Sequence, residues 1–341
     1  MKGDFAMDIN NIIDGLTCFT DLHLHLDGSV SVKSARELAT VENIILPESD
    51  EELRSMLMVS DDCADLNEYL EKFSLPVSLM QSRESLRLCA FNLCSELRAS
   101  GLMYAEIRFA PQKHCEKGLS QQDVVVSVLD GIKESGFDAG LILCCMRDGK
   151  DNRSENLETV RLAGEYYKKG VCAFDLAGAE ALFPNEKYLY IFEEARFKGV
   201  PFTVHSGEAL GAESVSLAVR NGSSRIGHGV RAAEDEETLE LLADMKMPLE
   251  ICPTSNINTC VFKQVSDIPV KKFMEYGIPV TINTDNMSVS ATDIKKEYKK
   301  TAEAFGFGPA EIKALLINSV NASFASDEMR NRMLEAIDAQ I

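Results

Sequence analysis

Eight short apolar runs alternate with amphipathic stretches along the chain, and that alternation limits the fold more than any other feature. The runs are 20–26, 103–110, 139–146, 171–177, 201–205, 224–228, 248–252 and 279–284. Each is short enough for a strand buried on both faces. Helical spacing fills the gaps at 120–135, 154–169, 185–198, 212–220, 235–245 and 270–276, and further helices are expected at 291–305, 309–319 and 322–337. Strands alternating with helices predict a parallel sheet, and the count of eight predicts an α/β (β/α)8 TIM barrel. A doubly wound open sheet is the alternative. No Gly-x-Gly-x-x-Gly opens a strand–helix turn, which weighs against dinucleotide binding.

At 341 residues the chain exceeds the usual barrel. A helix-rich insertion after the first strand, 31–100, accounts for most of the excess, and the last helices extend the C-terminus. Within the insertion Leu86, Ala90, Leu93 and Leu97 recur at helical spacing before Gly101. This insertion is a candidate lid over the site. With no repeat, low-complexity linker or composition break, residues 1–341 are expected to form one domain.

The net charge of −19 repels nucleic-acid phosphate and anionic membranes, so neither is expected as a partner. The ten cysteines include no Cys-x-x-Cys, and Cys89, Cys144, Cys145 and Cys172 lie in apolar segments, as reduced core thiols do. A cytoplasmic protein is expected. Asp4, Asp8, Asn10, Asn11 and Asp14 interrupt the first sixteen residues, so no leader segment is expected there, and no run reaches membrane-spanning length.

The active site of a (β/α)8 barrel lies at the C-terminal strand ends. In the first strand His23 and His25 are two residues apart and share a face, with Asp27 and Gly28 following. An isolated His-x-His reads first as two interior histidines bonded to each other or to water. The other strand ends change that reading. They carry Asp175 to Glu180, His205 to Glu208, His228, Cys252 to Asn256, and Asn283 to Asn286. Four of the five histidines thus fall at strand ends assigned from apolar runs, and His114 reads as a surface loop residue.

His23, His25, His205 and Asp285 offer three nitrogens and one oxygen, a catalytic zinc donor set with a position left for water. A single metal is expected, because the fourth strand ends without the lysine that commonly bridges two-metal barrels. Zinc brings the pKa of bound water to about 7. His228 is placed to take a proton from that water or stabilise developing charge, and Glu208 to protonate substrate. The alternative for Glu208 is a helix N-terminal carboxylate favoured by the dipole.

Together, His-Leu-His-Leu-Asp-Gly-Ser from His23, Asp-Leu-Ala-Gly-Ala-Glu from Asp175, His-Ser-Gly-Glu from His205, Arg-Ile-Gly-His-Gly from Arg225, Cys-Pro-Thr-Ser-Asn from Cys252 and Asn-Thr-Asp-Asn from Asn283 resemble the adenosine deaminase family. Each motif is weak alone; the six in this order, spanning 20–286, are specific. The resemblance implies one Zn2+ per chain and hydrolytic loss of the 6-amino group of adenosine or 2′-deoxyadenosine, giving inosine and ammonia. It makes His23, His25, His205 and Asp285 the zinc ligands and Glu208 the proton donor to purine N1. It gives His228 the task of orienting or deprotonating water, which Asp285 also positions. The Gly178 N–H would meet purine N3, and Asp27 the ribose hydroxyl end. The implied partner is a small-molecule purine nucleoside. The signature of the cytidine-type zinc deaminases is absent.

Two positions depart from the family pattern. Asn286 stands where a second aspartate is common, facing purine N7, and its amide N–H retains a donor for that atom. Ala179 replaces a residue that is often polar. Both bear on substrate range, leaving adenine, AMP and N6-substituted adenosines as in-class alternatives. No Lys/Arg cluster accompanies Asp27, which favours a nucleoside over a nucleotide. A non-catalytic nucleoside-binding relative is the out-of-class alternative; such proteins usually lose a ligand or the proton donor, and all are present here.

Overall fold

Apolar residues make up most of the runs that become strands, and each run finds a parallel partner on both sides. In the computed structural model, which describes residues 9–60, 63, 66–149 and 151–341, the strands are β1 Phe19–His25, β2 Leu102–Phe109, β3 Ala139–Arg147, β4 Val171–Gly178, β5 Thr203–Ser206, β6 Arg225–His228, β7 Leu249–Ile251 and β8 Val280–Ile282. They pair in parallel in two sets, β1 to β4 and β5 to β8. Single bridges close both seams, Phe174 to Phe202 and Leu24 to Asp285. The ring is therefore the expected (β/α)8 barrel. The second seam is the functional one. His25 N–H donates to the Asp285 carbonyl at 2.7 Å, and Asp285 N–H donates to the His23 carbonyl at 2.7 Å.

Strands β5, β7 and β8 begin one or two residues later than expected, and proline explains the offset. Pro201, Pro248 and Pro279 have no N–H to give the ladder. Their carbonyls still accept from Phe174, Ile226 and Leu249 of the neighbouring strands at 2.9–3.2 Å. Helix ends follow capping chemistry. Asp293 caps Ile294–Phe305, which starts three residues past the expected 291, and Ser326 caps the last helix, Asp327–Gln340, which starts five past the expected 322. Helices Ile9–Gly15 and Pro253–Asn258 are additions to the expected set.

The insertion is helical as expected: Val32–Glu42, Asp50–Leu57, Leu66–Glu71, Ser74–Ser78 and Arg83–Ala99. Leu86, Ala90, Leu93 and Leu97 are all buried. One hydrophobic cluster extends from Ile13 to Ile337 and takes in the thiols of Cys89 and Cys145. The reading of residues 1–16 falls partly on 1–8, outside the described residues. Among the described residues, no helix is long and apolar enough to cross a membrane.

Candidate active site and metal centre

The C-terminal strand ends open into a cavity of about 430 Å³. His25, Asp27, Gly178, His205, Glu208, His228, Asp285 and Asn286 all line it. His23 is wholly buried behind them. Every residue singled out as a site candidate therefore converges on one place. The insertion forms the opposite wall, through Leu66, Tyr69, Phe73 and Val77.

His23 Nε2 lies 3.0 Å from His205 Nε2, and His25 Nε2 lies 3.2 Å from the same atom. Asp285 Oδ1 is 3.5 Å from His23 Nε2 and 3.4 Å from His25 Nε2. Three ring nitrogens and a carboxylate oxygen thus face a common centre. His23 Nδ1 meets Glu250 Oε2 at 2.8 Å, which puts the ring proton on Nδ1 and leaves Nε2 as a lone pair. Such lone pairs repel one another unless a cation lies between them, so the donor set fits a divalent metal of the zinc type. Burial lowers the basicity of His25 and His205, which keeps their rings neutral as ligands must be. Burial opposes ionisation of Asp285, but the bond to His23 prevails and holds its carboxyl well below the usual range.

Backbone strain marks the same place. His228 and Asp285 both have φ of 60°, in the left-handed region that non-glycine residues avoid. Each costs about 1–3 kcal/mol, which the surrounding fold must offset. His228 Nδ1 meets the Asn256 amide nitrogen at 3.1 Å, while its Nε2 points toward Glu208 Oε2 at 3.7 Å and Asp285 Oδ2 at 3.9 Å.

Glu208 is 5% exposed, and burial, then the charges of Asp285 and Glu180, push its pKa up to about 8. It is therefore protonated at neutral pH, as a proton donor must be. The helix-cap alternative does not hold. Helix Ala212–Arg220 starts four residues later and carries Glu213 in its first turn. Glu180 is the carboxylate that serves the backbone here. It accepts from the N–H groups of Gly207, Glu208, Ala209 and Leu210 at 2.8–3.2 Å and from Ser214 Oγ at 2.6 Å. The loop bearing Glu208 is thereby fixed.

Asn286 donates one amide N–H to Asp285 Oδ1 at 2.6 Å, which leaves the other available to a ligand. Gly28 must be glycine for this side chain to fit, since a Cβ there would stand 1.8 Å from Asn286 Oδ1 and 2.9 Å from its Cβ. Gly28→Ala is expected to push Asn286 aside and lower kcat/KM by roughly 10–100-fold, since misplacements of about 1 Å have effects of that size. A kcat/KM within twofold of wild type would show that Asn286 has room to move.

One expectation needs correction. His114 is not a surface residue; it is fully buried in the turn Pro111–His114, where its Nδ1 meets the Met80 carbonyl at 3.0 Å and ties the insertion to the end of β2. Its polar neighbours Gln112, Lys113, Glu116 and Lys117 disguised it. The cavity that Asp27 lines also holds two basic residues, Lys113 and Arg147. Both are engaged by their own chain, Lys113 with Asp148 at 3.0 Å and Arg147 with Asn185 and the His205 carbonyl.

Glu250 and Arg108 went unnoticed in the sequence. Their signal was a charge inside a run otherwise apolar enough to be buried, Leu-Glu-Ile and Glu-Ile-Arg-Phe. In the sequence Asp175 stands out only as part of a motif, yet its Oδ2 lies 2.8 Å from His205 Nδ1.

A sequence profile of the adenosine deaminase family matches residues 19–340. The chain belongs to that family. It is 47% identical over 326 residues to an adenosine deaminase of Haemophilus ducreyi, covering 93% of this chain and 94% of that protein. It is 39% identical over 324 residues to an adenosine deaminase of Clostridium acetobutylicum, covering 93% of this chain and 96% of that one. Among solved structures, an adenine deaminase from Arthrobacter aurescens superposes with a TM-score of 0.84 at 24% identity, over 94% of this chain and 98% of that chain. That likeness speaks for the fold of the family member described here.

Proposed function

We propose that this chain catalyses hydrolytic deamination of adenosine and 2′-deoxyadenosine to inosine and ammonia, with one Zn2+ per chain. The observation that carries this reading is the convergence of three imidazole Nε2 atoms and the Asp285 carboxylate beside a protonated Glu208 in one cavity. The substrate comes from the family and from relatives named for adenosine. His23, His25, His205 and Asp285 would hold the metal, which when bound supplies the Lewis acidity that makes water a nucleophile near neutral pH.

The chain's own groups do the rest. Glu208 gives its proton to purine N1, which makes C6 electron-poor as water adds there. His228, its Nδ1 engaged by Asn256, directs Nε2 at the water to accept its proton or stabilise the charge that develops. Asp285 holds the same water on its second oxygen. The Gly178 N–H, at the end of β4, meets N3, and Asn286 meets N7. The proton taken from water passes to N6, cleavage of the C6–N6 bond releases ammonia, and the proton left on the new C6 oxygen returns to Glu208 as C6=O forms, while N1 keeps the proton it received. Asp27, facing the cavity, receives the ribose hydroxyls and repels a phosphate, which favours a nucleoside over a nucleotide. We read residues 1–341 as one catalytic domain working in the cytoplasm, supported by the thiols buried in its core.

A second reading, action on adenine or an N6-substituted adenosine, is favoured by Asn286 alone. Asn286→Asp is expected to retain turnover while changing the kcat/KM ratio between adenosine and 6-substituted purines by about tenfold or more. An unchanged ratio would free Asn286 from any part in substrate range. The test of the main reading is ammonia release from adenosine, 2′-deoxyadenosine, N6-methyladenosine, adenine and AMP. Release from the first two in clear preference supports it. Release from adenine or the N6-methyl compound in preference overturns the substrate. Tight nucleoside binding without turnover of any compound would replace catalysis by binding.

A further inference from the structure

We propose that Arg108 is a positioning residue that sets the metal affinity of the site by clamping the carboxylates behind two of its histidines. The proposal rests on the reading of His23 and His205 as metal ligands. Arg108 is fully buried in β2, and its guanidinium pairs with the carboxylates behind the rings. Its Nη1 lies 3.0 Å from Asp175 Oδ2, and its Nη2 lies 2.9 Å from Glu250 Oε2. These are the same oxygens that meet the imidazoles, Asp175 Oδ2 with His205 Nδ1 at 2.8 Å and Glu250 Oε2 with His23 Nδ1 at 2.8 Å. Nη2 also donates to the Leu22 carbonyl at 2.6 Å, one residue before His23. One planar guanidinium thereby fixes β1, β4 and β7 relative to one another at the level of the histidines. A point charge such as lysine's ammonium lacks the fork this requires.

The two arms are unequal. Glu250 has other support, since its Oε1 accepts from Arg225 Nε at 2.6 Å and from Thr203 Oγ1 at 3.0 Å. Among the described residues Asp175 Oδ1 has no hydrogen-bond partner, Oδ2 beyond Arg108 and His205 accepts only from the weak donor Cys144 Sγ at 3.8 Å, and Arg108 is the only arginine or lysine paired with Asp175. Loss of Arg108 therefore acts chiefly through Asp175 and His205. Outer partners of metal-bound histidines fix ring orientation and raise ligand basicity.

The test is the zinc dissociation constant, measured by competition with a chromogenic chelator on protein shown to be folded by a cooperative thermal transition. Arg108→Met is expected to weaken zinc roughly 10–100-fold, the range typical of outer-partner loss, and Arg108→Lys to recover part of the difference. In a cycle with Asp175→Asn, the second change is expected to add less than about threefold to Arg108→Met, because both act on the same histidine. If Arg108→Met does not fold, Arg108→Lys against wild type, with its own Asp175→Asn partner, carries the comparison. A lowered thermal midpoint with zinc affinity unchanged within about threefold would make Arg108 merely structural. Fully additive losses would show that it does not act through Asp175. A wild-type protein that binds no zinc would overturn the metal site itself, and the proposal with it, whereas tight binding by wild type and variants alike would overturn the positioning role alone.

Discussion

Glu208→Gln is expected to lower kcat by roughly 10²–10⁴-fold while the protein keeps its full complement of zinc. The substitution conserves shape, and the loop around it is held by Glu180 through backbone N–H groups that the variant retains. Glu208 also stands outside the four-residue donor set, and its Oε2 lies 3.7 Å from His228 Nε2. What the variant loses is an acid able to give its proton to N1. The same argument fixes a pH dependence. In the proposed mechanism the carboxyl, pushed up to about 8 first by burial and then by Asp285 and Glu180, acts in its protonated form. Activity carried by this group is therefore present below that pKa and declines as pH rises through it. The Glu208→Gln variant should lose this alkaline decline along with its activity. Near wild-type turnover, or metal loss accompanying the activity loss, would remove Glu208 from the role of proton donor.

His25→Ala is expected to lose the metal and, with it, activity by more than about 100-fold, beyond the 10–100-fold range usual for outer partners of a metal. Among the three histidines, His25 gives the cleanest test. His23 is bonded to Glu250 and His205 contacts Asp175, so removing either ring strands a buried carboxylate. The His25 side chain is 12% exposed, and its contacts with His205 Nε2 at 3.2 Å and Asp285 Oδ1 at 3.4 Å lie toward the proposed ion. Truncation at this position should leave the metal-free fold close to wild type in thermal stability. Atomic absorption after dialysis provides the readout, and full zinc occupancy in the variant would break the ligand assignment.

Much of this was legible in the chain because barrel strands are buried on both faces and so stand out as apolar runs. The histidines became informative only through those runs, since three strand ends assigned without reference to them carried His23 and His25, His205, and His228. The layer behind them was hidden for the opposite reason. Arg108, Glu106, Glu250 and Arg225 are charges inside buried strands, each compensated by another from a strand distant in sequence, as with Arg225 Nη2 and Glu106 Oε2 at 2.5 Å across 119 positions. Spacing along one segment cannot reveal such pairs. Glu180 was visible as a motif member, but its role required seeing four consecutive N–H groups turn toward it. His114 was misread because a turn full of polar residues can still bury one ring when another segment, here Met80, covers it. The late starts of β5, β7 and β8 were readable in principle, from prolines that accept but do not donate.

The most direct test of the account is ammonia released from adenosine as zinc is titrated into metal-free protein. The four-donor site predicts a rate near zero at the start, a linear rise, and a plateau at one equivalent per chain. Full activity without metal, a plateau at two equivalents, or no ammonia at saturating zinc would each contradict it.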